Sequence, residues 1–283
     1  MKKVKVISLV LLIIVLVGVI ACLLGFAIRS ESYNKKAKNP LLTFDIDGYG
    51  EVQIELYPEY APNTVASMIK LVENKYYDGK VFYGTDGLSI HAGMIRNEVP
   101  AEDTVETDDS TTKKNAVEDK LTASDLDLSI ASGSENDYNV AIPGEFVANG
   151  YNDNTLRFEK GTVGLYRATY SSYYGEDLSA QSYNSGTALF FVCMEENSSI
   201  NGLYAPFGKV VKGFDILEEV NNLTTIKEEN DVEGQIEYFE ILPTIKTATV
   251  QTYGVDYGTP IYAEAFDYNS YLSDILLQYY QNQ

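Results

Sequence analysis

The stretch LLTFDIDGYGEVQIELYPEYAPNTV, residues 41–65, sets the architecture of this chain. Apolar and polar side chains alternate from Leu41 to Asp47 and again from Glu51 to Leu56. The tripeptide Gly48-Tyr49-Gly50 separates the two runs. A period of two on both sides of a glycine-containing turn predicts a β-hairpin with one buried face.

A helix is predicted directly after this hairpin, over residues 64–73. Pro58 and Pro62 end the extended run, and the apolar residues that follow are three or four positions apart: Val65, Met68, Ile69 and Val72. This spacing places them on one face of a helix. Asn63 precedes the helix and is predicted to cap its N-terminus.

The rest of the chain adds many short strands and few helices. Further strands are predicted near residues 81–82, 88–90, 138–146, 161–165, 188–194, 207–211 and 236–252. A second short helix is predicted over 214–220, and the Tyr-rich tail 255–283 is predicted to contain a helix over 270–281. This pattern favours a mainly β fold, a closed barrel capped by two helices, because closure removes exposed sheet edges.

Composition and charge exclude several classes of function. The 283 residues carry a formal charge of −20 at pH 7, and residues 31–283 hold 17 basic against 41 acidic residues, a charge of −24. Such a surface repels phosphate backbones, so nucleic acid is not an expected partner. With two cysteines, Cys22 and Cys193, and one histidine, His91, the chain has neither a disulfide framework nor the ligands of a usual zinc site. No metal site is expected from these residues.

An N-terminal membrane anchor is predicted within residues 1–30. No charged residue occurs from Val6 to Ile28, a run of 23 positions between Lys5 and Arg29. As a helix this run is roughly 34 Å long, enough to cross a bilayer core. The apolar region of a cleaved signal peptide is shorter, about 7–15 residues. We therefore expect an uncleaved transmembrane helix, followed by a polar linker over 31–40.

A lipoprotein is the alternative interpretation of the same segment. Val19-Ile20-Ala21-Cys22 resembles a bacterial lipobox, which would make Cys22 a lipidated N-terminus. The apolar run continues beyond Cys22, which favours the anchor. Basic residues flank both ends, so the positive-inside rule discriminates weakly. The short basic N-terminus before a long domain is typical of a single-pass signal anchor in the cell membrane, with residues 31–283 outside the cytoplasm.

An acidic insertion is predicted at about residues 96–137. Residues 98–137 hold twelve acidic and three basic residues and are rich in Ser and Thr. A segment of low hydrophobicity and high charge does not offset its ordering entropy by burial, so a solvated loop is expected. A cation site is the alternative, among Asp103, Glu106, Asp108 and Asp109, although their spacing does not match an EF-hand.

Several motifs occur in a fixed order along residues 42–254. They are ELYPEYAPNTV at 55–65, YDGKVF at 77–82, GTV at 161–163, LFFV at 189–192, FGKVVKG at 207–213 and TVQTYG at 249–254. In sequence and order they resemble the cyclophilin family of peptidyl-prolyl cis-trans isomerases. The resemblance implies a closed eight-stranded antiparallel β-barrel with two helices over residues 41–254. It also implies a groove for proline-containing peptides and no cofactor.

The resemblance is weakest where the family carries its catalytic arginine. The family pattern F-H-R-V-I-P-G-F-M-I-Q-G-G corresponds here to FYGTDGLSIHAG at 82–93, which is one residue shorter, and Gly84 stands in place of the arginine. Arg167 is a possible substitute for that arginine, or else a solvated surface residue. The residues predicted from the resemblance to bind substrate are Phe191, Leu88, His91, Tyr166, Leu189, Ile200 and Tyr204.

Two functions of different classes are open from the sequence. The first is a membrane-tethered, extracytoplasmic prolyl isomerase that assists folding of exported proteins through their proline-containing segments, with activity weakened by Gly84. The second is a cyclophilin-fold module that binds peptides or proteins without isomerising them. The family resemblance favours the first function, because it describes the fold and the lineage of the chain. The missing arginine favours the second function, because it bears on the activity.

Overall fold

The computed structural model describes residues 18–20, 38–96, 116–118, 121–122, 125, 139–172, 175–226 and 235–281. Its contacts divide the chain into two units, and the larger contains residues 40–251 and 257–283. The described part of the smaller unit comprises residues 18–20, 38–39 and 252–256, where the Lys38 ammonium lies 5.0 Å from the Tyr253 ring centre. No helix within the described residues is long and apolar enough to cross a membrane. The predicted anchor at 6–28 lies outside them, apart from residues 18–20.

The larger unit is built on an antiparallel sheet, as the sequence predicts. The strands are β1 (Leu41–Ile46), β2 (Gly50–Leu56), β3 (Val81–Thr85), β4 (Ser89–Arg96), β5 (Ala116–Val117), β6 (Val140–Ala141), β7 (Thr162–Arg167), β8 (Gly186–Cys193), β9 (Ala205–Lys212), β10 (Glu237–Tyr238), β11 (Ile245–Gln251) and β12 (Ala263–Glu264). The main sheet has the order β10-β3-β4-β8-β7-β9-β2-β1-β11, with β5 paired to β4. The apolar strand β8 lies in the middle of this order, as predicted.

The hairpin β1–β2 buries one face, which confirms its predicted pattern. Leu42, Phe44 and Ile46 are at most 1% exposed, while the residues between them are partly exposed. The Phe44 ring stacks on Phe190 of β8 at 5.4 Å, so the hairpin and the central strand share the core inside the curled sheet. The alternation of apolar residues in β1 thus follows directly from the pleat of a strand with one buried side.

The two ends of the curled sheet meet over a short stretch. Val81 of β3 forms a bridge to Thr244, just before β11. Backbone N–H groups of Phe82 and Ile245 donate to Pro243 and Lys80, at 2.9 and 2.7 Å. Within the described residues this contact is a short bridge and not a full ladder. The closed eight-stranded barrel therefore stays a prediction, and the observed architecture is a curled antiparallel sheet.

Four helices accompany the sheet in the described residues: α1 (Pro62–Glu73), α2 (Ser179–Tyr183), α3 (Phe214–Asn221) and α4 (Tyr268–Gln281). The predictions of helices at 64–73, 214–220 and 270–281 are confirmed. The predicted cap at Asn63 is wrong, because α1 already begins at Pro62 and Asn63 lies within its first turn. The carboxylate of Glu145 accepts the N–H groups of Asn63 and Thr64 at 2.9 and 2.7 Å instead.

Part of the acidic insertion is packed, so the prediction of a solvated loop is wrong for that part. Ala116 and Leu121 are 0% and 1% exposed and belong to the main hydrophobic core. Val117 pairs with Ile95 across β5 and β4, and the Leu121 carbonyl accepts the N–H of Val140 at 2.9 Å. A few apolar residues therefore anchor a segment whose average composition is polar. The candidate cation ligands at 103–109 lie outside the described residues.

The C-terminal residues 257–281 pack on the same unit. β12 pairs with β6, and the side chain of Asn63 exchanges two hydrogen bonds with the backbone of Ile261, at 2.9 and 2.5 Å. Tyr170 stacks on Tyr268 at the start of α4, with ring centres 5.0 Å apart. These contacts join the tail to the first turn of α1 and to the loop after β7.

Candidate functional site

A cavity of about 400 Å³ opens beside the central strand β8. Its walls come from β4, β7, β8, the short helical turn 198–200 and the residues before and within β10. The lining residues are Asp86, Ser89, His91, Tyr166, Phe191, Asn197, Ile200, Tyr204, Gln235, Ile236 and Tyr238. Five of the seven residues predicted to bind substrate are therefore brought together: His91, Tyr166, Phe191, Ile200 and Tyr204.

Phe191 forms the apolar base of this cavity. It is 3% exposed and belongs to a small cluster with Phe158 and Cys193, separate from the main core. Its ring stacks on Phe158 at 5.5 Å and meets Tyr204 edge-on at 5.7 Å. Gly164 lies opposite on β7, where an added Cβ would approach the Phe191 ring to 2.5 Å. Only glycine at that position leaves the ring its place, which explains the GTVG sequence of β7.

His91 and Asp86 form the polar side of the cavity. The His91 Nε2 atom lies 3.2 Å from Asp86 Oδ2, and the His91 ring centre lies 5.8 Å from that of Phe191. Asp86 Oδ1 also accepts the N–H groups of Leu88 and Ser89, at 2.9 and 2.6 Å. Burial acts to raise the pKa of Asp86, but the hydrogen bonds from His91 and the backbone hold it below its usual 3.8. The carboxylate is therefore ionised at neutral pH.

Two buried polar atoms at this site have no hydrogen-bond partner in the described part of the chain. They are Nδ1 of His91 and the hydroxyl oxygen of Tyr83. The other nitrogen of the His91 ring, Nε2, is the one that pairs with ionised Asp86. Burial, together with the neighbouring Tyr166 and Tyr238, raises the pKa of Tyr83 well above 10, so its hydroxyl is a neutral donor.

Gly84 has no room for a side chain. It pairs with Tyr238, and an added Cβ would lie well inside 3.0 Å of the Glu237 carbonyl oxygen and 2.9 Å from Cγ2 of Ile236. β10 is held in place by the N–H of Phe239, which donates to the Tyr83 carbonyl at 2.9 Å. The short strand β10 therefore fills the space next to Gly84, the position at which the family resemblance places an arginine.

Arg167, the predicted substitute, lies outside the cavity walls. Its Nε donates to the Leu203 carbonyl at 2.9 Å, and its guanidinium lies 5.1 Å from the Tyr183 ring centre and 4.5 Å from that of Tyr204. These partners place the guanidinium against Tyr204, which itself lines the cavity. Arg167 is not among the lining residues in the described structure.

Leu88 and Leu189 are predicted site residues that the structure places elsewhere. Leu88 is 42% exposed in the turn between β3 and β4. Leu189 is 2% exposed and belongs to the main core, where it packs beside Gly93. Neither residue belongs to the cavity lining.

Other lining residues were missed by the sequence reasoning. Ser89 and Asp86 follow from the shortened turn after β3, and Asn197 precedes the helical turn that carries Ile200. β10 and the two residues before it contribute Gln235, Ile236 and Tyr238 to the lining, and this stretch carries no sequence motif of its own. The only available signal was the apolar Ile236 at the start of the closing strands.

Neither metal nor thiol chemistry finds support in the described residues. They contain no group of three His, Cys, Asp or Glu side chains that could hold a metal ion. Cys193 is buried beside the cavity, 3.9 Å from the Ser89 hydroxyl, and burial raises the pKa of its thiol to about 11. That thiol is protonated at neutral pH and is not a ready nucleophile.

Sequence comparisons match this unit to one family. The family model described as cyclophilin type peptidyl-prolyl cis-trans isomerase/CLD matches residues 41–240. A probable peptidyl-prolyl cis-trans isomerase of Brucella suis is 26% identical over 172 residues, 60% of this chain and 66% of the Brucella protein, just under two thirds of its length. Peptidyl-prolyl cis-trans isomerase B of Bacillus subtilis is 23% identical over 185 residues, 65% of this chain and 93% of that protein.

Solved structures with some likeness to this chain come from the same group of proteins. A cyclophilin-type peptidyl-prolyl cis-trans isomerase of Cryptosporidium parvum is 15% identical, with a TM-score of 0.46, and the match covers 75% of this chain and 97% of that one. A cyclophilin of Hirschia baltica is 22% identical, with a TM-score of 0.41 and coverage of 74% and 73%.

Proposed function

The chain belongs to the cyclophilin-type peptidyl-prolyl cis-trans isomerase family, and we propose that its cavity binds proline-containing peptide segments while isomerising the X-Pro bond only weakly. A proline ring is apolar and needs an apolar base, which Phe191 supplies with Ile200 and Tyr204 around it. Cavities of this kind bury an apolar group and orient it with a few polar atoms. The polar atoms here belong to His91 and Asp86, to Ser89, Asn197 and Gln235, and to the tyrosine hydroxyls.

Weak activity follows from what isomerisation requires. Rotation about an X-Pro bond breaks amide resonance, so the twisted state is stabilised by donors aimed at the charge that develops. In the family resemblance an arginine supplies such a donor. No lysine or arginine is among the residues that line the cavity in the described structure. The single observation that carries this proposal is the backbone of β10, which fills the space next to Gly84.

A peptide-binding module without isomerase activity is the second candidate. It is favoured by Asp86, because a carboxylate stands at a site where the reaction needs a donor. Binding would be retained through Phe191, and the donors left at the cavity wall would be neutral groups such as the Gln235 amide and the Tyr204 hydroxyl. The two candidates make the same prediction for binding and differ in turnover.

Exchange NMR on a short Ala-Pro peptide with the full-length protein in a non-ionic detergent measures turnover, and titration of a fluorescent version of the peptide measures binding. We expect saturable binding and an exchange rate at least a hundredfold below that of an arginine-bearing cyclophilin, because one lost donor costs about 10²–10³ in rate. Phe191→Ala should weaken binding, while the control Tyr280→Ala, 71% exposed on α4, should not.

Binding that Phe191→Ala leaves unchanged would refute the proposed site, provided that the variant melts cooperatively. If Phe191→Ala does not fold, Tyr166→Ala, at the partly exposed rim, replaces it in the same comparison. Turnover equal to that of an arginine-bearing cyclophilin would refute the weakened activity. Undetectable exchange with intact binding would select the module without isomerase activity.

We also propose a membrane tether with the domain outside the cytoplasm, acting on proline-containing segments of exported proteins. The support is the sequence alone: the uncharged run at 6–28, its short basic N-terminus and the polar linker that follows. Protease added to intact cells should digest the domain. Protection in intact cells with digestion after lysis would contradict the orientation, and a mature N-terminus at Cys22 would indicate a lipoprotein.

A further inference from the structure

The charge of the cavity has one sign. Asp86 is the only Asp or Glu among its lining residues, and no Lys or Arg lines it in the described structure. The Asp86 side chain keeps 24% of its surface exposed, so the carboxylate is open to a ligand. Its Oδ1 accepts hydrogen bonds from the backbone of the turn, whereas Oδ2 has, among the described residues, only the His91 ring within hydrogen-bond distance. A carboxylate oxygen accepts more than one hydrogen bond, so Oδ2 retains capacity for a ligand.

The His91 ring lies beside this carboxylate and orients it. Its side chain is 5% exposed and lines the cavity, and its Nε2 atom lies 3.2 Å from Asp86 Oδ2. A ligand therefore reaches this pair through the more exposed Asp86 side chain. The capacity left at Asp86 Oδ2 favours a ligand that carries N–H groups.

The remaining walls are suited to a cation. Tyr166, Tyr204, Tyr238 and Phe191 present aromatic rings to the cavity. Ring faces attract ammonium and guanidinium groups. Tyr204 already shows this behaviour within the protein, because the Arg167 guanidinium lies 4.5 Å from its ring centre.

The carboxylate lies close to the proposed place of the proline. The His91 ring contacts Phe191 at 5.8 Å between centres, and His91 Nε2 reaches Asp86 Oδ2 at 3.2 Å. The His91 ring thus lies between the apolar base at Phe191 and the carboxylate of Asp86. A residue of extended chain advances about 3.3–3.6 Å, so the residue next to a bound proline has its side chain within reach of Asp86.

We infer that this cavity selects proline segments that carry a lysine or arginine next to the proline, with Asp86 as the residue that recognises the cation. The inference rests on the proposed function, since it names the substrate class of the same site. It assigns to Asp86 a binding role that is independent of how fast the bond isomerises.

The test compares peptides of equal shape and different charge. Fluorescent peptides carry lysine, norleucine or glutamate next to a single proline, either before or after it, and are titrated with the full-length protein in a non-ionic detergent at low salt. We expect one of the two lysine peptides to bind about five- to tenfold tighter than its norleucine counterpart, as for a partly buried charge-assisted hydrogen bond. The glutamate peptides should bind most weakly.

Asp86→Asn is the matching variant. An asparagine Oδ1 still accepts the N–H groups of Leu88 and Ser89, so the turn is retained. The variant should lose the preference for lysine, measured as the ratio of its affinities for the lysine and norleucine peptides. Asp215→Asn, the same change at an exposed position of α3, controls for the overall negative charge and should keep the preference.

The outcomes separate the two levels of the proposal. If no peptide binds, the proposed function fails. If lysine and norleucine peptides bind equally, or Asp86→Asn keeps the full preference, the inference fails while the proposed function stands. If Asp86→Asn does not fold, wild-type protein with an acetyl-lysine peptide decides, because acetylation removes the charge and should remove the preference. A lysine placed four residues from the proline should not increase the affinity. An equal increase there would show that the negative charge of the whole protein surface, and not Asp86, attracts the lysine.

Discussion

A side chain added at Gly84 should destabilise the protein and leave isomerisation no faster. In Gly84→Ala the new Cβ would approach the Glu237 carbonyl well inside 3.0 Å, and ordinary contact begins at 3.4 Å, so the β10 backbone must retreat by roughly an ångström. Overpacking of this kind costs about 1–3 kcal/mol, and weakening the bond from Phe239 N–H to Tyr83 adds about 1 kcal/mol. We therefore expect a loss of about 2–4 kcal/mol for Gly84→Ala and no less for Gly84→Arg.

Thermal unfolding and exchange NMR measure the two consequences. For a domain of this size the loss corresponds to a Tm lower by about 5–12 °C. Leu88→Arg is the control, because it brings a guanidinium to the same turn from a side chain that is 42% exposed, and it should change stability by less than about 0.5 kcal/mol. A Gly84→Arg variant with unchanged Tm and accelerated isomerisation would refute the packing argument, since the arginine would then fit where β10 is described.

Glu145→Ala should lower the free energy of unfolding in urea by about 2–3 kcal/mol, because the Glu145 carboxylate accepts two N–H groups of α1 and the Thr64 hydroxyl. An unchanged urea midpoint would show that this cap is dispensable. Leu121→Ala should lower the free energy of unfolding by about 2–4 kcal/mol in the same assay, because Leu121 is 1% exposed. A change below about 0.5 kcal/mol would support the solvated-loop interpretation of its segment. The pKa of Asp86 is lower in the folded protein than its usual 3.8, so its stabilising contribution is complete above that value and is lost as pH falls through the folded pKa. The difference in urea midpoint between wild type and Asp86→Asn should accordingly shrink below about pH 4, and a constant difference would contradict the assigned hydrogen bonds.

Local periodicity was sufficient for the elements that carry the fold. The alternation in β1 and β2 needed only the rule that a pleated strand buries every second residue, and Leu42, Phe44 and Ile46 follow it. The apolar run of β8 likewise predicted its central place. These elements were predictable because burial is repeated along each of them, so that no single residue decides the assignment.

The start of α1 and the acidic insertion were not predictable in the same way. Asn63 has the residue type of a cap, but the acceptor for its N–H is Glu145, 82 positions away in the sequence. Leu121 is buried through its place beside β6, in a segment whose average composition is polar. In both places one long-range contact overrides a local preference, and local patterns carry no information about such contacts.

The sequence placed five of the eleven lining residues at the cavity and missed the other six. The family resemblance supplied Phe191, Ile200, Tyr204, His91 and Tyr166, whose roles in binding stay predictions. Leu189 lies outside the lining because its apolar side chain is buried in the main core. Tyr238 was missed because β10 pairs only two residues with β3, too short a strand for any periodic signal.

The departures from the family pattern at this site form one structural unit. The turn after β3 is one residue shorter, and it is closed by Asp86, whose carboxylate binds both the backbone of the turn and the His91 ring. Removal of the side chain at Gly84 admits β10, and β10 brings Tyr238 to the cavity wall. We expect these features to be coupled, because an arginine at position 84 would displace β10. Gly84→Arg alone should therefore not rebuild an arginine-dependent site, and the carboxylate that this cavity offers to a peptide is that of Asp86.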